Sequence, residues 1–223
     1  MNRSPVPAAL PTALRQSLFI AGTDTGIGKT WVAVRLLQTL AANGLRAAGM
    51  KPVAAGAELG PQGRRNDDAL ALMAASNVSL AYEQVNPCCL LTPTSPHLAA
   101  RRESCSIDLD DIKSAFAAIK LRSDVIIVEG AGGWLAPIAD PLRSGEIGPT
   151  MQDLALALGL PVLLVVGVRL GCISHALLTA AAIARSGLPL AGWIANPIDP
   201  DFADHAEYVE SLALRLPVPQ LSL

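Results

Sequence analysis

Charge is scarce in this chain: Asp, Glu, Lys and Arg together make up 16% of its 223 residues. The formal net charge is −2 with both signs scattered, and without a basic stripe no nucleic-acid partner is expected. Aromatics are only 4% of the chain; Ala, Leu and Val dominate instead, as buried strands and helices require. Cysteine is sparse too. Cys88, Cys89, Cys105 and Cys172 show no C-x-x-C spacing, and adjacent cysteines such as Cys88 and Cys89 are poor bridge partners. Reduced thiols in a cytoplasmic protein are the expectation. His97, His175 and His205 lie far apart and read as capping or packing residues rather than as a metal centre. The longest uncharged run, LALALGLPVLLVVGV at 154–168, is too short to cross a membrane, and Gly159 and Pro161 divide it into a helix end and a strand. The first 17 residues carry three prolines and no continuous apolar core, which speaks against a signal peptide. A flexible tail over 1–17 and a single domain over 18–223 are expected, a length that buries a core without staples.

The chain then reads as strand and helix in alternation. SLFIAG (17–22) is a short apolar run ending in glycine, a buried strand. TWVAVRLLQTLAANG (30–44) places Val32, Leu36, Leu37 and Leu40 on one helical face and stops at Gly44, where a helix end favours glycine. RAAGMKPV (46–53) reads as a second strand and NDDALALMAAS (66–76) as a capped helix. The stretch 77–102 is Pro-rich and irregular, with one short edge strand near 88–91. SIDLDDIKSAFAAIKLRS (106–123) is a helix with a capping serine and an acidic first turn. DVIIVEGAGG (124–133) and PVLLVVGV (161–168) are apolar throughout rather than alternating, the mark of parallel strands covered on both faces. Two further helix segments, 174–187 and 201–216, with the strand 190–196 between them, complete a doubly wound α/β fold, a mainly parallel sheet with helices on both faces.

Residues 22–30 read GTDTGIGKT, close to the phosphate-loop pattern G-x-x-x-x-G-K-[ST] except that its first glycine falls one position early. The context is what such a loop needs: a strand, a glycine-rich turn, then a helix starting at Lys29 or Thr30. Backbone N–H groups and the helix N-terminus there favour a bound anion. Lys29 can reach outer phosphates, and the Thr30 hydroxyl can ligate Mg²⁺. A carboxylate for that metal is offered by Glu129, at the end of an apolar strand and followed by Gly130, Gly132 and Gly133. Asp67 and Asp68 open a helix, where capping and metal binding are equally open readings. Lys51 ends a strand before Pro52 and small residues, with little to pack against, and by itself reads as a surface lysine.

GTDTGIGKT, KPVAAGAE, RNDDALAL, PTSPHLAA, VEGAGGW, LPVLLVVGVRLGCISHALLTA, LAGWIAN and HAEY follow one another in this order. Together they resemble the dethiobiotin synthetase family of the biotin pathway, from about residue 18 to about 219. In that family the loop is G-T-[DN]-T-x-x-G-K-T, one residue longer before its second glycine, so position 23 is free to be Thr23. The resemblance implies an ATP- and Mg²⁺-dependent ligase of the P-loop fold. Such an enzyme closes a cyclic urea from 7,8-diaminopelargonate and CO₂ through a carbamate and a carbamic-phosphoric anhydride. It further implies Lys29 and Lys51 as cations on the γ-phosphate and the carbamate, and Thr30, Asp68 and Glu129 as holders of Mg²⁺. Thr25, Gly26, Ile27 and Gly28 would wrap the phosphates, with Glu129, Gly130, Ala131 and Gly132 alongside and Asn196 and Pro197 near the adenine. Thr25, Lys51 and Ala55 would face the substrate. Its carboxylate tail would reach the partner subunit of a homodimer, at Gly171, Cys172, Ile173 and Ser174 with Tyr208.

Position 55 is Ala where the family motif K-P-V-x-S-G carries serine, and Arg169 and Ser174 stand where Lys and Asn are commoner. The sequence ends at PVPQLSL, before the segment in which relatives carry P-W-L-like residues around the adenine, so weak discrimination among nucleotides is expected. Division-site and partition ATPases with a related loop carry an additional lysine early in it; Thr23 and Asp24 occupy the corresponding positions here.

Overall fold

The computed structural model describes residues 10–223. Five parallel strands form the central sheet: β1 (Leu18–Gly22), β2 (Ala47–Met50), β7 (Val125–Glu129), β8 (Val162–Val168) and β9 (Leu190–Pro197), in the spatial order β2-β7-β1-β8-β9. Every residue of β1, β2, β7 and β8 is buried, as the uninterrupted apolar runs require of strands covered on both faces. One face packs on α1 (Lys29–Ala42) and α2 (Asp67–Ala75) through Val32, Leu36, Leu37, Leu40 and Leu72. The other packs on α5 (Leu109–Lys120), α6 (Met151–Leu158) and α7 (Cys172–Ser186) through Ile112, Phe116, Leu154, Ala176 and Ile183. The chain crosses to either side of β1, so the C-terminal ends of β1 and β7 lie together at the point where strand order reverses. Glu129 stands level with Ile20, and a ligand crevice is expected there.

Five local expectations are corrected. The segment 46–53 is not one strand: β2 stops at Met50, and β3 (Val53–Ala55) pairs instead with β6 (Cys88–Leu90) in a separate two-stranded parallel sheet. Pro52 lacks the N–H that a central ladder needs, and both backbone groups of Lys51 are bonded outside the sheet, to Val85 and Asn86. Strict alternation also fails after β3. An exposed antiparallel hairpin, β4 (Glu58–Gly60) and β5 (Gly63–Arg65), precedes α2, and two short helices, α3 (Tyr82–Val85) and α4 (Pro96–Arg102), flank β6. The helix expected to be capped by Ser106 is capped by Asp108, whose carboxylate accepts the Asp110 N–H at 2.7 Å. The loose tail is not loose from residue 10 onward. Thr12–Leu14 form a 3-10 turn, and Leu10 and Leu14 join the core cluster of α1; residues 1–9 lie outside the described residues. The last helix, α8 (His205–Ala213), is shorter than expected. Beyond it the chain runs back beside β9, where Leu221 donates its N–H to the Trp193 carbonyl at 2.8 Å and fills the space a side chain at Gly192 would occupy.

Candidate active site

The loop between β1 and α1 is built around glycines in left-handed backbone. Gly28, with φ at 84°, is the N-cap of α1, and a Cβ there would lie 2.1 Å from Nδ2 of Asn196. Asn196, at the end of β9, donates from that amide to the Ile27 carbonyl at 2.8 Å, so a strand two places from β1 in the sheet pins the loop. Ile27 points its side chain into the core and can offer a ligand only backbone. Asp24 braces the loop entrance: its carboxylate accepts the Thr25 N–H at 2.7 Å and pairs with Arg169 at 2.6 Å.

Inside the loop, Lys29 is buried and donates to the Asp24 carbonyl at 2.7 Å. Burial, helped by the neighbouring Lys51 ammonium, depresses the Lys29 ammonium from 10.5 to about 8. Lys51, which sequence alone reads as a surface residue, is 4% exposed. Its ammonium lies 2.7 Å from both Asp68 Oδ2 and Glu129 Oε1, with the Gly130 carbonyl at 3.5 Å. Burial pulls the Lys51 ammonium down, but attraction from Glu129 and Asp68 outweighs it and the net displacement is upward. Asp68 moves the other way. Burial works to raise it, Lys51 overrides this, and the carboxyl ends below its ordinary value. Both members of the pair are therefore charged at neutral pH. A buried lysine paired with a half-exposed carboxylate is weak evidence for stability; such a perturbed pair in a cleft points to chemistry.

Thr30 donates its hydroxyl to Glu129 Oε1 at 2.8 Å, while Glu129 Oε2 is buried without a hydrogen-bond partner. An orphaned carboxylate oxygen beside a threonine hydroxyl and the Asp68 carboxylate is an all-oxygen donor set. Mg²⁺, which uses one or two carboxylates together with phosphate oxygens, fits it. Among the described residues no cluster of three or more His, Cys, Asp or Glu side chains could enclose a metal alone, so the phosphates of a ligand would have to complete the coordination.

These groups face a cavity of about 790 Å³, large enough for a nucleotide's phosphates and a small substrate together. Thr25, Gly26, Gly28, Lys29 and Thr30 line one side. Lys51, Ala55, Asp68, Glu129, Ala131 and Gly132 also line it. Gly130 lies behind, touching the cavity only through Lys51. Asn196 stands beside the loop, and Pro197 is exposed next to it. The proposed carboxylate-binding group is not part of this cavity in a single chain. Gly171, left-handed at φ 90°, caps α7; the Cys172 side chain is in the core, and its N–H is donated to Arg169; Ile173 packs against that core. Ser174 is exposed, and the half-buried Tyr208 stacks edge-on against Phe202.

Sequence reasoning missed several residues lining the cavity: Ala54, Asn66 and Ala136, and the Pro93–Pro96 turn with the hydroxyls of Thr94 and Ser95, while Gly133, singled out after Glu129, does line it. PTSPHLAA carried the one available signal, because a Thr-Ser pair between prolines is rigid and polar. Ser95, at the N-cap of α4, turns its hydroxyl to His97 Nδ1 at 3.0 Å rather than to the helix.

The family described as an AAA domain matches residues 16–221. The chain is 50% identical to an ATP-dependent dethiobiotin synthetase of Xanthomonas oryzae pv. oryzae over 91% of its length and 88% of the relative's. It is 50% identical to one from Aromatoleum aromaticum over 92% and 88%, and 47% identical to one from Escherichia coli O157:H7 over 91% and 87%. Among solved structures the MinD cell division protein of Aquifex aeolicus is similar, with a TM-score of 0.54 at 16% identity over 92% of this chain and 80% of that one. That likeness establishes a shared P-loop NTPase fold and nothing further.

Proposed function

This chain belongs to the ATP-dependent dethiobiotin synthetases, a family of cyclo-ligases, and from that premise we propose that its cavity closes the cyclic urea of dethiobiotin on a carbamate. In this reading 7,8-diaminopelargonate carries CO₂ on one amine as a carbamate, and a carbamate oxygen takes the γ-phosphoryl group of ATP. The second amine then attacks the carbonyl carbon of the mixed anhydride, and phosphate leaves with the bridging oxygen. The observation that carries the proposal is the pair of buried ammonium groups, Lys29 and Lys51, lining one cavity with two carboxylates and a threonine hydroxyl. A carbamate approaching a triphosphate concentrates negative charge, and transfer between them leaves little covalent work to a protein. Fixed cations supply the barrier reduction.

Lys29 holds the outer phosphates, with backbone N–H groups of Thr25, Gly26, Ile27 and Gly28 around them. Lys51 faces the carbamate and neutralises charge where the new phosphorus–oxygen bond forms. Thr30, Asp68 and Glu129 would hold Mg²⁺, whose charge would draw electron density from the phosphate oxygens. Asn196 uses its amide nitrogen on the loop, which leaves its carbonyl to accept from the adenine amino group, with Pro197 adjoining. Ala55 gives a smooth wall beside Lys51 where a serine would give a hydroxyl, so the diamine is held there by shape and by Thr25. The substrate carboxylate reaches Gly171–Ser174 and Tyr208 of a second copy, since these residues stand outside the cavity of their own chain. Exposed Leu170 and Leu178 beside them suit a surface covered in a homodimer. Four free thiols suit the reducing cytoplasm, and no helix among the described residues is long and apolar enough to cross a membrane.

The test is ADP release with diaminopelargonate and bicarbonate together, compared with omission of each and with Lys51→Ala. Release that needs both and is lost in the variant by roughly a hundredfold or more supports the reading. Release indifferent to the diamine would end it.

A further inference from the structure

We propose that Tyr82 and Asn86, which stand behind the cavity wall, are positioning residues that set the aim of Lys51 and Asp68; this rests on the functional reading above. The need for them arises where the chain leaves the central sheet. After Met50 the backbone of Lys51 has no strand partner, yet it is buried and must be satisfied. Its N–H is taken by the Val85 carbonyl at 2.8 Å, and its carbonyl accepts from Asn86 Nδ2 at 2.6 Å. The next carbonyl, that of Pro52, accepts from the Cys88 N–H at 3.0 Å. The segment 85–88 thus serves as the missing strand for the catalytic lysine.

Hydrogen-bond chemistry fixes the direction of every link. The Lys51 carbonyl can only accept, so the Asn86 amide nitrogen must face it and Asn86 Oδ1 must face away. That oxygen accepts from the Tyr82 hydroxyl at 2.9 Å. Having donated there, the hydroxyl accepts the Asn66 N–H at 2.7 Å. Asn66 is the N-cap of α2, with its side chain toward the Ala69 N–H, and Asp68 lies in the first turn of that helix. One phenol therefore ties the start of the Asp68 helix to the backbone of Lys51, whose ammonium meets Asp68 at 2.7 Å on the cavity side. Asn66, Tyr82 and Asn86 are all buried, and the Arg65 guanidinium covers the Tyr82 ring 4.0 Å from its centroid. A fully satisfied polar chain in a low-dielectric interior is stiff. Stiffness matters here because displacing a reacting group by about 1 Å can lower turnover about a hundredfold.

Tyr82→Phe removes the hydroxyl and keeps the ring, leaving the Asn66 N–H and Asn86 Oδ1 unpaired. Asn86→Ala removes the anchor on the Lys51 carbonyl. The experiment measures kcat, the Mg²⁺ concentration for half-maximal rate, metal-free nucleotide affinity and melting temperature for both variants, with Lys51→Ala beside them. The expected result is a fall in kcat of roughly tenfold or more and a severalfold higher Mg²⁺ requirement in each, with metal-free nucleotide affinity unchanged, because the phosphate loop lies on another element. Variants that melt earlier but turn over normally would overturn the proposal, as would a failure of both to fold, since the pair would then be structural alone. If Lys51→Ala itself turns over normally, the functional reading fails first, and the relay has no site to serve.

Discussion

Lys29 should make nucleotide binding take up a proton. Its ammonium is held at about 8 by burial and by Lys51, about 2.5 pH units below the ordinary value, so the charged form is disfavoured by about 3 kcal/mol in the empty site. A polyphosphate over the loop supplies the missing counter-charge and returns the group toward its ordinary range. The sign then follows. In the free protein Lys29 is about nine-tenths protonated at pH 7, about half at pH 8 and about one-tenth at pH 9, and in the complex it is fully protonated throughout. Binding should therefore absorb about 0.1, 0.5 and 0.9 proton at these pH values, and affinity should fall roughly tenfold per pH unit above 8. Stability of the free protein responds oppositely. Between pH 8 and 10.5 the unfolded chain holds more protons at this group than the folded one, so the Lys29 contribution rises with pH. Calorimetric titration of ADP in buffers of different ionisation enthalpy reads the proton count directly. At pH 8 to 9 the nucleotide's own phosphate protons have already gone, which isolates the lysine. Zero uptake at pH 9, with affinity flat to pH 10, would refute the placement of Lys29 as a desolvated cation facing the phosphates.

Three more outcomes follow from the geometry. Asp68→Asn or Glu129→Gln should raise the Mg²⁺ requirement about tenfold or more while the protein still folds; normal Mg-nucleotide binding would return Asp68 to a capping role and Glu129 to a structural one. Gly28→Ala should weaken ADP binding at least tenfold in fluorescence titration, because its Cβ would meet Asn196 at 2.1 Å and its φ is 84°; unchanged affinity would mean the loop does not bind in this conformation. Mixing Lys51→Ala subunits with Gly171→Trp subunits should restore activity at one hybrid site per dimer, and light scattering of an active monomer would end that idea.

How much of this was legible in the sequence varies with how local the determinant is. The loop at 22–30 and the strand end at Glu129 were readable because a buried parallel strand, a turn and a helix start each leave their own pattern, and the sheet brings their C-terminal ends together. Lys51 was not readable from the bare residues. Nothing about a lysine before Pro52 says that it is buried; its burial comes from Glu129 and Asp68, which lie 78 and 17 residues away. Resemblance to a family supplied what spacing could not. The chain Asn66–Tyr82–Asn86 escaped both, because its bonds join a helix cap, a short helix and a strand end with no shared period. Leu14 was misjudged for a similar reason. Leu10 and Leu14 stand only four residues apart on either side of Pro11, too short a pattern to read as an element, and only the core of α1 decides that both are buried.

If the γ-phosphoryl group held by Lys29 passes to a carbamate facing Lys51, the fate of one oxygen records it. Diaminopelargonate, ATP and ¹⁸O-labelled bicarbonate are mixed with the protein, and the released phosphate is analysed by mass spectrometry before carbonate exchanges with water. Attack by a carbamate oxygen on the γ-phosphorus, followed by loss of phosphate on ring closure, leaves that oxygen on phosphorus. Each phosphate formed should therefore carry one ¹⁸O atom, and label and turnover should be lost together in Lys51→Ala. Phosphate free of label, released while dethiobiotin is being made, would contradict it.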